Sequence, residues 1–239
     1  MKTEKYVCLF FLILLVIVSC KKDAPVTQPD YGYNYFPTDI KKYVVYDVDS
    51  IVHNDFTNTV DTFKYQIKEY IESSFIDNSG RNTLRLERYI KNHNDTIPYS
   101  AISWTLKDVW YTNRTNTTAE KVEENQRYVK LIFPVAAKNK WNGNAYNTLG
   151  EQTYTYDDVN TPRTIGTLSF DSTLFVTQLN TENLIEKKYY TEIYAKNVGM
   201  VYKQIIDVQA NNIVSGVPVM NRITSGIEFK MTINSYGFN

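Results

Sequence analysis

The chain has 239 residues with 26 basic against 26 acidic side chains, so it offers no excess of positive charge of the kind nucleic acid requires. A hydrophobic content of 43%, with 14% aromatic, excludes a disordered chain. Two cysteines and two histidines leave little material for thiol or metal chemistry, and no cofactor is expected.

Residues 1–19 read as a secretory signal. Lys2 and Lys5 make a short charged start, and Val7 opens an unbroken apolar stretch that ends at Val18. As a helix this stretch would cover about 18 Å, well short of the ~30 Å hydrocarbon core, so an export segment fits better than a membrane span. Ile17-Val18-Ser19-Cys20 follows, an aliphatic, a variable and a small residue before cysteine, and it resembles the bacterial lipobox. That resemblance implies cleavage before Cys20, a diacylglycerol on its thiol and an acylated new amino terminus, with palmitate-type chains. Several acyl chains, each CH₂ worth ~0.8 kcal/mol on burial, would anchor the chain stably in a membrane. The expected location is the outer membrane, facing either the periplasm or the exterior.

Residues 20–34 are polar, contain Pro25, Pro29 and Gly32, and show no periodicity. They read as a lipidated tether that lets the folded part stand up to ~45 Å from the bilayer. From residue 35 to 239 the hydrophobic period is two. In 63–75, Phe63, Tyr65, Ile67, Ile71 and Phe75 share one face against Lys64, Gln66, Lys68 and Glu72. In 83–91, Leu84, Leu86 and Ile90 alternate with Arg85, Glu87 and Lys91, and Arg88 is the exception. Further strands are predicted at 43–52, 102–111, 127–133, 164–170, 174–179, 184–194, 200–208 and 227–234. Asp77-Asn78-Ser79-Gly80 and Ala195-Lys196-Asn197-Val198-Gly199 read as hairpin turns. Residues 118–126 are the one helix candidate. The sum is an all-β antiparallel meander, either a sandwich or a curled half-barrel, with little helix. Phe36-Pro37 and Phe133-Pro134 each precede a lysine-bearing segment, an echo that would suit two similar lobes.

Several segments are similar to uncharacterised β-rich lipoproteins of Bacteroidetes: Tyr35-Phe36-Pro37, residues 46–51, residues 122–131, Phe133-Pro134-Val135, Trp141-Asn142-Gly143-Asn144 and residues 192–202. The Gly-x-x-Trp common in that group is absent from Ile40-Lys41-Lys42-Tyr43. The resemblance implies an exported β fold and brings no activity with it.

Candidate chemistry is sparse. Asp47 and Asp49 share a strand face and could serve as an acid/base pair, although a solvated face is the simpler reading. His53 and His93 lie in no nucleophile motif, and no loop carries a calcium pattern, so no metal site is expected. Trp104 and Trp110, six apart, would share one face of a regular strand and belong to the core. Trp141, Asn142 and Asn144 sit in an Asn/Gly-rich loop where an aromatic face with amide neighbours could bind a sugar or an apolar ligand. The expected function is thus a non-catalytic envelope lipoprotein. It would be anchored through Cys20 and bind a glycan, lipid or envelope protein. An envelope hydrolase built on an acidic pair is the alternative.

Overall fold

A computed structural model describes residues 29–239, so the signal, the lipobox, Cys20 and most of the tether lie outside the described residues. Twelve strands make up the rest: β1 (Lys42–Asn54), β2 (Thr59–Ile76), β3 (Asn82–Asn92), β4 (Thr105–Arg114), β5 (Thr118–Glu123) and β6 (Gln126–Ile132) in the first half. The second half holds β7 (Lys140–Asn142), β8 (Thr153–Ile165), β9 (Leu168–Glu182), β10 (Glu186–Ala195), β11 (Gly199–Gln209) and β12 (Ser225–Phe238). Single turns of 3₁₀ helix occur at Tyr33–Tyr35, Tyr99–Ala101 and Val219–Asn221.

All twelve strands belong to one antiparallel sheet in the order β6-β5-β4-β3-β2-β1-β12-β11-β10-β9-β8-β7. Each strand therefore pairs with its neighbours in sequence except β6 with β7, and β1 pairs with β12. The sheet curls until it is nearly closed into a barrel, with β6 and β7 at its two edges. Of the two expected all-β forms, this is the curled one. Closure follows from the length and right-handed twist of the sheet, since a strongly twisted sheet of this many strands tends to roll up or split.

Several strand predictions need correction. Residues 118–126 form β5 and its turn to β6 rather than a helix, because Glu124 and Asn125 both take positive φ (48° and 62°), as a tight hairpin turn requires. Residues 164–170 hold a hairpin turn at Gly166 (φ 60°) between β8 and β9, and β8 itself was not foreseen. An irregularity between Ile71 and Ser73 reverses the alternation late in β2, so Phe75 leaves the face of Ile67 and Ile71 and stacks on exposed Tyr111. Trp104 precedes β4, and a shift beside Arg88 and Tyr89 separates it from Trp110. Trp104 lies over Lys68 and Lys91 on the outer face, and Trp110 lies under Arg88 on the inner face.

One end of the barrel is covered by residues 31–37. Tyr35 is buried there, with its hydroxyl hydrogen-bonded to Asn160 and Ser172. The Asn197 N–H donates to the Asn34 carbonyl, the Val135 N–H donates to Tyr31, and Arg114 donates to the carbonyls of Tyr33 and Phe36. Residues 31–34, predicted as tether, thus join 35–37 in a stopper on the barrel.

The seam between β6 and the β7–β8 edge is closed mostly by side chains. The Trp141 indole N–H donates to the Val129 carbonyl at 2.8 Å, and the Val129 N–H donates to the Gly143 carbonyl at 2.8 Å. The Tyr156 hydroxyl accepts from the Ile132 N–H and donates to the Ile132 carbonyl, both at 2.7 Å. Asn147 donates to the Arg127 carbonyl. These contacts satisfy backbone groups that an open edge strand would leave bare. Gly143 has to be glycine here: a Cβ would lie 2.3 Å from the Tyr154 ring.

Candidate functional site

The inner face of the sheet carries charge as well as apolar side chains. Glu69 (β2), Arg88 (β3), Asp108 (β4), Lys121 and Glu123 (β5), Lys130 (β6), Glu192 (β10) and Lys203 (β11) form one connected ion-pair network. Strand register builds part of it. Glu69 lies opposite Arg88, Arg88 opposite Asp108, and Glu192 opposite Lys203, at the spacing where cross-strand side chains meet. The rest spans the interior. Lys121 Nζ reaches both Glu69 oxygens at 2.9 Å, and Lys130 Nζ reaches Glu192 at 2.6 Å and Glu123 at 3.5 Å. Lys203 lies 3.5 Å from Glu192 and 3.7 Å from Glu123.

Burial is deep. Glu192 is 0% exposed and Lys130 is 4% exposed. Burial alone would push the Glu123 carboxyl up, but the ammonium groups of Lys130, Lys203 and Lys121 outweigh it and hold it well below the usual carboxylate range. Glu192 is held down in the same way, by Lys130 and Lys203 against its own burial. For Lys130, burial acts to lower the ammonium, and Glu123 and Glu192 raise it above its ordinary value. The Tyr194 hydroxyl donates to Glu192 at 2.5 Å, and burial together with that carboxylate drives the phenol well above its ordinary value. These groups are fixed donors, acceptors and charges at neutral pH. A general acid would need a carboxyl shifted upward, and Glu123 and Glu192 are shifted the opposite way.

Beside the network lies a cavity of about 210 Å³. Its lining is Glu69, Arg88, Trp110, Lys121 and Glu123 from β2–β5, and Met200, Lys203, Ile205, Ile227, Phe229 and Met231 from β11 and β12, with Lys203 beside Met231 among the apolar side chains. A second space of about 80 Å³ lies toward the stopper, where Phe36 and Pro37 line it, and it shares Glu69, Lys121 and Met200 with the first. The lining is partly open to solvent, since Lys203 keeps 17% of its side-chain surface and Met200, Ile205, Ile227 and Phe229 are half-buried. Trp110 Nε1–H is buried without a hydrogen bond, whereas Arg88 Nε ion-pairs with Glu69 at 3.2 Å. A buried donor with nothing to accept from it costs ~1–3 kcal/mol.

The residues singled out from sequence sit elsewhere. Trp141 is 9% exposed and belongs to the seam, with its ring against Tyr154 and Tyr156. Asn142 Oδ1 accepts from the N–H groups of Asn144 and Gln152, and Asn144 donates to Gly150, so these amides build the β7–β8 loop. Asp47 and Asp49 are on the outer face, Asp47 accepting from Gln66 and Asn234 and Asp49 lying 3.3 Å from Lys230. His53 pairs with Glu228, and His93 with Asp95. Among the described residues no group of three His, Cys, Asp or Glu side chains could hold a metal ion, and no helix is long and apolar enough to cross a membrane.

No family model matches the chain, and no curated protein matches it. Among solved structures it is similar to a protein named as exported, with a YmcC-like fold, from Bacteroides fragilis NCTC 9343. The identity is 9% and the TM-score 0.40, over 84% of this chain and 98% of that one. It is also similar to a protein named as a lipoprotein from Parabacteroides distasonis ATCC 8503, at 12% identity and TM-score 0.32, over 88% of this chain and 100% of that one.

Proposed function

We propose that this chain is an outer-membrane lipoprotein, acylated at Cys20, whose barrel lumen binds a small amphipathic molecule without chemical conversion. The single observation that carries the binding role is a cavity lined by apolar side chains together with a few fixed, ion-paired charged ones. Small-molecule sites combine mostly apolar lining with a few fixed polar groups in this way. The anchor rests on the short apolar leader and on Ile17-Val18-Ser19-Cys20. In this reading Trp141, Asn142 and Asn144 serve the site indirectly, by holding the seam and its loop closed. A hydrolase reading is disfavoured by the depressed carboxyls of Glu123 and Glu192.

Two measurements test it. Cells fed an alkyne-bearing palmitate analogue should label the full chain and leave its Cys20→Ser variant unlabelled; equal labelling of both would remove the anchor. N-phenyl-1-naphthylamine, a neutral apolar dye, should show saturable fluorescence enhancement with the detergent-free Cys20→Ser chain at about one site per molecule. A response that never saturates would remove the lumen as a binding site.

A further inference from the structure

Every ion pair in the lumen network has its counterpart. Arg88, Lys121, Lys130 and Lys203 supply four positive charges in the interior, and Glu69, Asp108, Glu123 and Glu192 supply four negative ones. Asp108 also pairs at 2.8 Å with Lys107, whose side chain is 40% exposed. A ligand of net charge entering this space would lose its hydration and meet no uncompensated partner. What the lining leaves unanswered is one donor, because the buried Trp110 Nε1–H has no hydrogen-bond partner while Arg88 is held by Glu69 and Asp108. Both side chains line the cavity, and the Arg88 guanidinium stacks 3.6 Å from the Trp110 ring centre. Met200, Met231 and Phe229 line it too and offer flexible and aromatic apolar surface.

We infer that the lumen selects an uncharged amphiphile, an acyl ester or amide. Its carbonyl oxygen accepts from Trp110, and its alkyl chain lies on Met200, Met231 and Phe229. This deepens the binding role proposed above and rests on it. The Trp110 Nε1–H itself is buried, so it sits ready for an acceptor rather than for bulk water.

The test uses probes of one chain length on the detergent-free Cys20→Ser chain, each displacing N-phenyl-1-naphthylamine: monodecanoylglycerol, decanoate and decyltrimethylammonium. The neutral ester should displace the dye on the order of tenfold more strongly than either charged probe. Decanoate or the ammonium matching or beating the ester would overturn the selectivity, while the dye signal itself would keep the lumen as a site. Failure of the dye to bind at all would instead sink the binding role beneath it. In Trp110→Phe, which keeps an aromatic ring and drops the N–H, the advantage of the ester over the dye should fall about fivefold, because the dye offers no acceptor oxygen. An unchanged advantage would remove the assigned hydrogen bond. The probe series on the Cys20→Ser chain stands even where the Trp110→Phe variant folds poorly.

Discussion

Glu192→Gln should lower folding stability by about 3–5 kcal/mol, read as a fall in the denaturant midpoint at unchanged slope. Glu192 is fully buried and holds Lys130 at 2.6 Å, with Lys203 at 3.5 Å. The amide keeps the size of the side chain and can still accept from Tyr194, so little packing is lost. What changes is charge: the buried Lys130 and half-buried Lys203 ammonium groups are left to share Glu123. Replacing the pair together, as Lys130→Met with Glu192→Leu, should cost much less than Glu192→Gln, because the penalty of a broken buried pair lies mainly in the orphaned charge. A double variant as unstable as the single one would show that the pair contributes through packing or register instead.

The same carboxyls set an acid limb. Glu123 and Glu192 are both depressed in the folded chain relative to an ordinary value of 4.5. A depressed carboxyl contributes stability that is present in full above its unfolded value and is lost as pH falls through its folded value. Stability should therefore change little with pH just above 5 on account of these groups, then decline steadily below about 4.5. In Glu192→Gln that decline should be shallower, since only Glu123 remains to take up its proton. Equal slopes in the two proteins would assign the acid limb to other groups.

The fold was legible in the alternation of side chains, and the site was partly legible in where that alternation fails. Leu84, Leu86 and Ile90 mark the inner face of β3, and Arg88 falls on the same parity. Glu69 does the same in β2, between Ile67 and Ile71. A charge on an apolar stripe is the trace of a buried pair, and on β2 and β3 the two charges lie opposite each other. Sequence alone could not connect Lys121 to Glu69 or Lys130 to Glu192, which meet across the interior of a closed sheet and depend on its curvature. The 118–126 segment misled because Glu and Lys suit a helix surface, whereas here Lys121 and Glu123 point inward to partners on other strands. Trp141 drew notice as an aromatic residue among Asn and Gly. That setting reflects a tight approach at the seam, where Gly143 admits the Tyr154 ring.

Removing the Trp141 side chain should be the other severe lesion, with Trp141→Ala costing about 3–5 kcal/mol, as large-to-small changes at buried aromatics do. The loss has two parts that separate by experiment. The ring packs on Tyr154 and Tyr156 with centroids 5.8 and 4.4 Å away, and its N–H satisfies the Val129 carbonyl. Trp141→Phe keeps an aromatic ring and strips the donor, so it should cost only about 1–3 kcal/mol, the range for leaving a buried acceptor unpaired. The damage should also be local. With Trp141 gone, β6 is held to the opposite edge by Tyr156, Asn147 and the Val129–Gly143 bond, whereas the β1–β12 junction keeps a long ladder interrupted only by a shift between Val45 and Tyr46. Hydrogen exchange should therefore accelerate at Val129 and Leu131 in Trp141→Ala while amides of β1 and β12 exchange as before. An opened seam presents two bare strand edges, so the variant should also associate at concentrations where the parent stays monodisperse. If exchange instead rises evenly around the barrel, the seam is no weaker than any other strand pair, and Trp141 acts through the core as a whole.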